Sequence, residues 1–244
     1  MPELLNSFDV VYHSQVLEHF PKEKASFFMS ECFRVLKPGG IIRVVVPDLE
    51  NIVNEYIKCL NENLSNSNKY SEANYDWILL ELYDQTVRNY SGGQMVEFLR
   101  QPELINEDYI VNRIGYLGKS IRDYYVATEI NEIQTSYWKR VVKKIKKNSL
   151  DVFRKYLIPK TKSEFYSEAY KVGSFRLGGE VHMWMYDRFS LSRLLDKCGF
   201  KCIEIQTPHS SSIPEWSEYE LDVKNDIIFD PTSLFMEAQK PMHS

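Results

Sequence analysis

The chain has 244 residues, of which 43% are hydrophobic and 26% are charged. This composition is typical of a globular protein, so it excludes disorder, collagen and coiled coil as descriptions of the whole chain. The formal net charge of −4 argues against nucleic acid as the partner.

The sequence shows no membrane or export signal. No apolar run approaches the roughly 18–20 residues that a membrane-spanning helix needs, and the N-terminal stretch lacks the basic and apolar regions of a signal peptide. We therefore expect a cytoplasmic protein with no integral membrane segment. None of the four cysteines forms a C-x-x-C pair, and no cluster of Cys and His has zinc spacing, so no metal is expected.

The first fifty residues predict a strand, a helix and a second strand. Residues 8–12 are apolar and rich in β-forming side chains, as in a short buried strand. Residues 22–36 carry apolar side chains at helical spacing, and the segment 37–40, KPGG, is expected to stop that helix in a turn. Residues 41–46 predict a second buried strand, after which Asp48 can cap another helix. This order predicts a parallel sheet.

The long middle of the chain, roughly residues 50–178, is mostly helical by pattern and rich in Tyr and Asn. Within it, residues 141–160 form an amphipathic basic stretch. Two interpretations remain open for this stretch: a solvated helix face, which is the more common case, or contact with an anionic partner or a membrane surface.

The α/β pattern returns near the C-terminus. Asp187 can cap a helix that Gly199 closes, and the apolar residues between them repeat at helical spacing. Strands are expected over residues 200–206 and 233–238. The sheet is therefore encoded at both ends of the chain, with a helical block between them.

Three polar segments fall where a parallel sheet would place ligands. They are residues 13–19 after the first strand, 47–50 after the second strand, and 180–187 before the late helix. Ligands of open α/β sheets bind beyond the carboxyl ends of the strands. The first and third segments contain three of the five histidines, so we expect a functional site where these segments meet.

Two segments resemble class I S-adenosylmethionine-dependent methyltransferases. They are FDVVYHSQVLEHF and ECFRVLKPGGIIRVVVPDLE, which are similar to the fourth strand, fourth helix and fifth strand of that family. The closing segments HMWMYDRFSLSRLLDKCGF and SLFMEAQKP resemble a branch of these enzymes that is associated with surface-polysaccharide synthesis.

The resemblance implies an α/β fold. We expect the C-terminal half of a Rossmann-like methyltransferase sheet, mixed and mostly parallel, with an antiparallel last strand and a large helical insertion. Residues 1–49 and 180–241 would form the partial core, and residues 50–179 the insertion.

The resemblance also implies the cofactor S-adenosylmethionine and roles for three groups of residues. The residues that would approach the cofactor are His13, Ser14 and Leu17. The candidate catalytic residues, on the acceptor side, are His19 as the first choice of base, Glu18 as the second, and Asp48. The residues that would cover the acceptor are His182, Trp184 and Tyr186.

A base is needed only if the methyl acceptor is a hydroxyl or an ammonium group, and most of the rate comes from positioning. A structural alternative stays open for two of these residues. Glu18 could brace the start of a helix, and His19 could pack on the sheet.

One feature of the family is missing. Its cofactor is held by a glycine-rich loop after the first strand, and no G-x-G occurs in this sequence. We therefore hypothesise a truncated or split methyltransferase that binds cofactor poorly by itself. Its 8–12 strand would be an exposed edge, open to a homo-oligomer or to a complementing N-terminal half. The acceptor would be a sugar, a glycolipid or another small molecule. The alternative is a non-catalytic binding or scaffolding module derived from a methyltransferase.

Overall fold

The computed structural model describes residues 4–146 and 162–242. In its four-stranded sheet, three strands run in one direction and one runs against them. The strands are β1 (Phe8–Ser14), β2 (Leu36–Pro47), β3 (Lys201–Gln206) and β6 (Ser233–Gln239), in the spatial order β1-β2-β6-β3. A separate two-stranded ribbon consists of β4 (Val223–Lys224) and β5 (Ile227–Ile228). The expected fold class is confirmed: a mixed α/β sheet, consistent with a Rossmann-like methyltransferase fold.

Helices lie on the sheet and in the long middle of the chain. They are α1 (Lys22–Val35), α2 (Leu49–Asn66), α3 (Lys69–Val87), α4 (Gly93–Leu99), α5 (Glu107–Lys146), α6 (Lys162–Arg176) and α7 (Arg188–Lys197). Among the described residues, no helix combines the length and the apolar character that crossing a membrane requires. Residues 147–160 of the basic stretch lie outside the described residues.

One face of the sheet packs against α1 and α7. Met29 of α1 and Leu195 of α7 are fully buried in a cluster with Val44 of β2 and Met236 of β6. Side chains of alternate residues along a strand point to opposite faces, so the even-numbered residues of β2 and β6 form this core. Burial of such side chains contributes roughly 1.5–3 kcal/mol each, which makes this face the main source of stability in the sheet.

Both predicted helix caps are present. The Asp48 carboxylate accepts a hydrogen bond of 2.9 Å from the backbone N–H of Glu50 at the start of α2. The Asp187 carboxylate accepts one of 2.7 Å from the backbone N–H of Ser190, whose hydroxyl accepts one from the Asp187 backbone. Each cap satisfies backbone donors that the first helical turn would otherwise leave unpaired.

The expectation of a turn at residues 37–40 is wrong. α1 ends at Val35, and the KPGG segment is already part of β2. Gly39, at φ 80°, donates a backbone hydrogen bond of 2.9 Å to the carbonyl of Lys240, and Gly40 accepts one from the Lys240 N–H. Pairing with the chain just after β6 therefore holds these glycines in an irregular strand, where local preference alone predicts a turn.

The helical middle is anchored to the sheet at Gly115. This residue interrupts α5 with φ 59° and ψ −149°. A Cβ at this position would lie 2.7 Å from the carbonyl oxygen of Phe229, so only glycine allows the helix backbone this close to the chain before β6. Thr232 donates a hydrogen bond of 3.1 Å to the carbonyl of Arg113 and strengthens the same contact.

The other face of the sheet contains a buried ion network. Arg43 of β2 is fully buried, and its guanidinium donates to Asp222 at 2.8 Å and to Glu237 at 2.7 Å. It also donates to the carbonyls of Thr207 at 2.8 Å and Ser210 at 3.0 Å. One side chain therefore joins β2, β6 and the loop between β3 and β4, and its removal would leave two carboxylates buried without a cation.

Replacing this arginine should unfold the protein more readily. We expect Arg43→Met to lower the free energy of unfolding by about 3–5 kcal/mol, because an uncompensated buried carboxylate is strongly destabilising. The matched control is Arg34→Met, since Arg34 forms a partly exposed pair with Glu31 and should change stability by less than about 1 kcal/mol. Urea unfolding measures both, and equal effects of the two substitutions would contradict a structural role for the network.

Candidate active site

The three predicted polar segments meet at the carboxyl ends of β1 and β2. The backbone N–H groups of Met183 and Trp184 both donate to the carbonyl of Glu18, at 2.7 and 3.1 Å. The N–H of Leu49 donates to the carbonyl of Tyr186 at 2.8 Å. Residues 180–187 therefore cross the end of the sheet and cover the turns that follow both strands.

Glu18 is the most enclosed acidic residue at this edge. It lies in a single 3-10 turn, Leu17–His19, and its side chain is 0% exposed. Among the described residues, no other residue donates a hydrogen bond to either of its carboxylate oxygens. Burial raises the pKa of Glu18 to about 7, and the nearby charge of Asp230 acts in the same direction. Glu18 therefore does not brace a helix through hydrogen bonds, which was the structural alternative.

Two histidines lie against this carboxyl group. The rings of His19 and His182 meet edge to face with centroids 4.8 Å apart. His19 Nε2 lies 3.7 Å from Glu18 Oε1, and its Nδ1 lies 3.3 Å from the carbonyl oxygen of Val181. His182 is buried, and burial together with the charges of His19 and Arg88 lowers its pKa to about 3. His182 is therefore neutral near pH 7, and the structure brings together three of the predicted site residues.

Asp48 lies at the same edge but has a structural task. Its carboxylate caps α2, and burial raises its pKa. It also lines a small cavity of about 70 Å³ with Gln15 and Asp230. The predicted role of Asp48 on the acceptor side stays a prediction, and its capping bond leaves only part of the carboxylate free for another contact.

A larger cavity lies beside the cluster, between α1 and α7. It has a volume of about 530 Å³, which is within the range of small-molecule sites. Trp184 and Tyr186 line it, and the Lys22 ammonium lies 4.2 Å from the centre of the Trp184 ring. The hydroxyl of Tyr186 is buried without a hydrogen-bond partner in the described part of the chain. His182, the third predicted acceptor residue, belongs to the cluster with Glu18 and does not line this cavity.

The residues predicted to approach the cofactor do not form a complete cofactor site. Leu17 is 0% exposed and belongs to the core beneath α1 and α7. His13 is also buried, with its ring edge to face with Phe28 at 5.2 Å. Ser14 alone is half-buried at the end of β1. Two of the three side chains are therefore enclosed by the protein itself, and the contact of these residues with S-adenosylmethionine stays a prediction.

Sequence reasoning missed Gln15 and Asp230. Gln15, at φ 54°, donates hydrogen bonds of 2.9 Å to the Asp230 carboxylate and to the Ser233 hydroxyl. Burial raises the pKa of Asp230 to about 6. An antiparallel strand begins at the edge where its parallel neighbours end, so the Asp-Pro pair just before β6 was a usable signal.

Burial of His13 should make stability depend on pH. Burial lowers the pKa of His13 to about 4, from 6.5. As the pH falls, His13 is therefore protonated in the unfolded chain before it is protonated in the folded chain. Its effect is to lower the free energy of unfolding as the pH falls from 6.5 towards 4, and this loss is absent above pH 6.5. Between pH 7 and pH 4, wild type should lose roughly 3 kcal/mol more than His13→Phe. Urea unfolding at several pH values measures this difference.

The control is His209→Phe, since His209 is exposed. Its stability should follow that of wild type across the same pH range. Parallel curves for wild type and His13→Phe would contradict the depressed pKa.

Comparison with known proteins bears on the first part of this site. A family model described as a methyltransferase domain matches residues 1–44, a segment that contains β1, α1 and the start of β2. No curated protein and no solved structure matches the chain. The matched segment includes Glu18 and His19, and the match supports a methyltransferase.

Proposed function

We propose that the chain provides the acceptor side of an S-adenosylmethionine-dependent methyltransferase that acts on a sugar, a glycolipid or another small molecule. The observation that carries this proposal is the enclosed carboxyl of Glu18, which lies 3.7 Å from His19. Trp184, whose N–H donates to the Glu18 carbonyl, links this pair to the cavity that it lines. The methyltransferase match over residues 1–44 supports the reaction class. The resemblance of the closing segments supports an acceptor from surface-polysaccharide synthesis.

The first task of this chain is to bind the acceptor. Trp184 offers an aromatic face on which a sugar ring can pack, and it is 37% exposed at the cavity. Three cationic side chains, Lys22, Arg193 and Lys197, line the same cavity together with one acidic side chain, Glu23, so its wall carries a net positive charge. This wall favours an acceptor that carries a phosphate or a carboxylate beside its hydroxyl groups.

The second task is to remove the proton from the acceptor hydroxyl. A positioned acid–base group contributes about 10²- to 10⁴-fold to such a step. His19 and Glu18 are the proposed acid–base groups, and His19 is partly open to solvent. S-adenosylmethionine supplies the methyl group when it is bound.

The cofactor side is the incomplete part. β1 is an outer strand of the described sheet, paired with β2 on one side. We propose that a strand from a complementing polypeptide or from a second copy pairs with the free edge of β1 and completes the cofactor site. The absence of any G-x-G from the sequence supports this proposal.

Methyl transfer can be tested directly. Purified protein is incubated with millimolar S-adenosylmethionine and a panel of monosaccharides, glycosyl phosphates and glycolipids, and the release of S-adenosylhomocysteine is measured. We expect acceptor-dependent release that falls at least 100-fold in Glu18→Gln. The matched control is Glu62→Gln, because Glu62 is exposed on α2 and should leave the rate unchanged.

Calorimetric titration with S-adenosylhomocysteine separates the two halves of the proposal. An incomplete cofactor site predicts a Kd weaker than about 100 μM, and micromolar or tighter binding would contradict incompleteness. A folded protein that binds S-adenosylhomocysteine but releases no product with any acceptor at saturating cofactor would contradict the enzyme and favour the binding module.

The aromatic wall can be tested with the acceptor that gives the highest rate. We expect Trp184→Ala to raise KM about 5- to 10-fold with a smaller change in kcat, because stacking is worth roughly 1 kcal/mol. The matched control is Phe27→Ala, since Phe27 is 74% exposed on α1 and does not line the cavity. An equal KM for wild type and Trp184→Ala would place the acceptor elsewhere.

A further inference from the structure

Glu18, His19 and His182 present three potential metal ligands at one point. Each offers a carboxylate oxygen or an imidazole nitrogen, and these ligand atoms all lie within 4.8 Å of one another. Glu18 and His182 are more than nine-tenths buried. Both carboxylate oxygens of Glu18 and the Nδ1 of His182 lack a hydrogen-bond partner among the described residues.

The tautomer of His19 leaves a second unpaired acceptor in the cluster. A carbonyl oxygen can only accept a hydrogen bond, so the contact of Nδ1 with the Val181 carbonyl at 3.3 Å assigns the proton to Nδ1. Nε2 of the neutral ring then carries a lone pair, and it faces Glu18 Oε1 at 3.7 Å. Two acceptors that face each other in a buried position repel unless a proton or a cation lies between them.

We propose that Glu18, His19 and His182 bind one divalent transition-metal ion. Two imidazoles and one carboxylate form a ligand set that binds Zn²⁺ in catalytic sites and leaves one position open. Mg²⁺ and Ca²⁺ prefer sites made only of oxygen atoms, so the two nitrogens favour a transition metal.

The backbone holds the two ligand segments close to the required geometry. Tetrahedral zinc with bonds of about 2.0–2.1 Å needs ligand atoms about 3.3 Å apart, so the side chains must close by roughly 1.5 Å at most. The two hydrogen bonds from Met183 and Trp184 to the Glu18 carbonyl fix the spacing between the segments. The Val181 carbonyl orients the His19 ring, as outer-shell carbonyls commonly do for metal-binding histidines.

Charges around the cluster are compatible with a cation. Asp230 acts on Glu18 as a second negative charge. Arg88 acts on His182 as a positive charge, but its guanidinium lies 3.5 Å from the Glu180 carboxylate, which balances it. Asp230 therefore favours a cation at Glu18, whereas the Arg88 charge, offset in part by Glu180, disfavours one at His182.

The proposed ion deepens the proposed function, and this role rests on it. With the ion bound, Glu18 and His19 would act as its ligands and no longer as the bases. An acceptor hydroxyl at the open position would be polarised by the ion, and its proton would pass to water. Metal binding itself is independent of the reaction and can be measured without cofactor or acceptor.

Cobalt titration provides the test. Protein treated with a chelator and then dialysed is titrated with Co²⁺, whose visible absorption reports its coordination, and Zn²⁺ is then added to displace it. We expect one Co²⁺ per chain, displaced by Zn²⁺. His182→Gln and His19→Gln should each weaken binding at least 10-fold, because each removes one of three ligands.

The matched control is His209→Gln, which replaces an exposed histidine outside the cluster and should bind as wild type does. His19 is partly exposed, so His19→Gln keeps the test decisive if His182→Gln fails to fold, as judged by circular dichroism. A folded wild type that shows no Co²⁺ absorption would overturn the proposal, as would equal affinity in wild type and His19→Gln.

A second comparison distinguishes this proposal from the proposed function. Stoichiometric metal binding with no methyl transfer would support the site and contradict the reaction. Methyl transfer by a protein that binds no Co²⁺ in the titration would overturn the site and leave the reaction intact.

Discussion

The site depends on the backbone carbonyl of Glu18, which accepts hydrogen bonds from two successive N–H groups, those of Met183 and Trp184. These two bonds join the turn after β1 to a segment more than 160 residues later in the chain. Together with the bond of 2.9 Å from the His182 N–H to the Gln85 carbonyl, they place His182 beside Glu18 and Trp184 at the cavity between α1 and α7.

Two buried groups of charged and polar side chains show how differently the fold treats such groups. All three nitrogens of the Arg43 guanidinium donate hydrogen bonds to carboxylate or carbonyl oxygens. This network joins three parts of the fold. Around Glu18, the carboxylate oxygens receive no hydrogen bond from another described residue. A buried polar group without a partner costs about 1–3 kcal/mol. The fold retains that cost at the carboxyl end of the sheet, where ligands of α/β proteins bind, and this contrast supports the proposed role of Glu18.

Local signals in the sequence were sufficient for the elements that flank the site. Helical spacing and the capping carboxylates of Asp48 and Asp187 predicted α1, α2 and α7, because those features act within one turn of helix. The KPGG segment was predicted wrongly, since its conformation depends on Lys240, about 200 residues away. The cluster of Glu18, His19 and His182 escaped the search for metal spacing for the same reason. His182 joins Glu18 and His19 only after folding, and short-range spacing carries no information about that contact.

His13 and Leu17 belong to the core, whereas the residues around them at the end of β1 reach the edge of the sheet. Both side chains turn towards α1, so the end of β1 helps to build the core beneath the site and contributes little surface to a cofactor. The next residues, from Gln15 to His19, leave that core and carry the polar groups to the edge of the sheet. In the proposed function, a cofactor wall would therefore come from beyond the free edge of β1, and the acceptor wall from α1, α7 and the segment that precedes α7. The proposal then leaves to this chain the chemistry of the acceptor: its binding, its orientation and the activation of its hydroxyl.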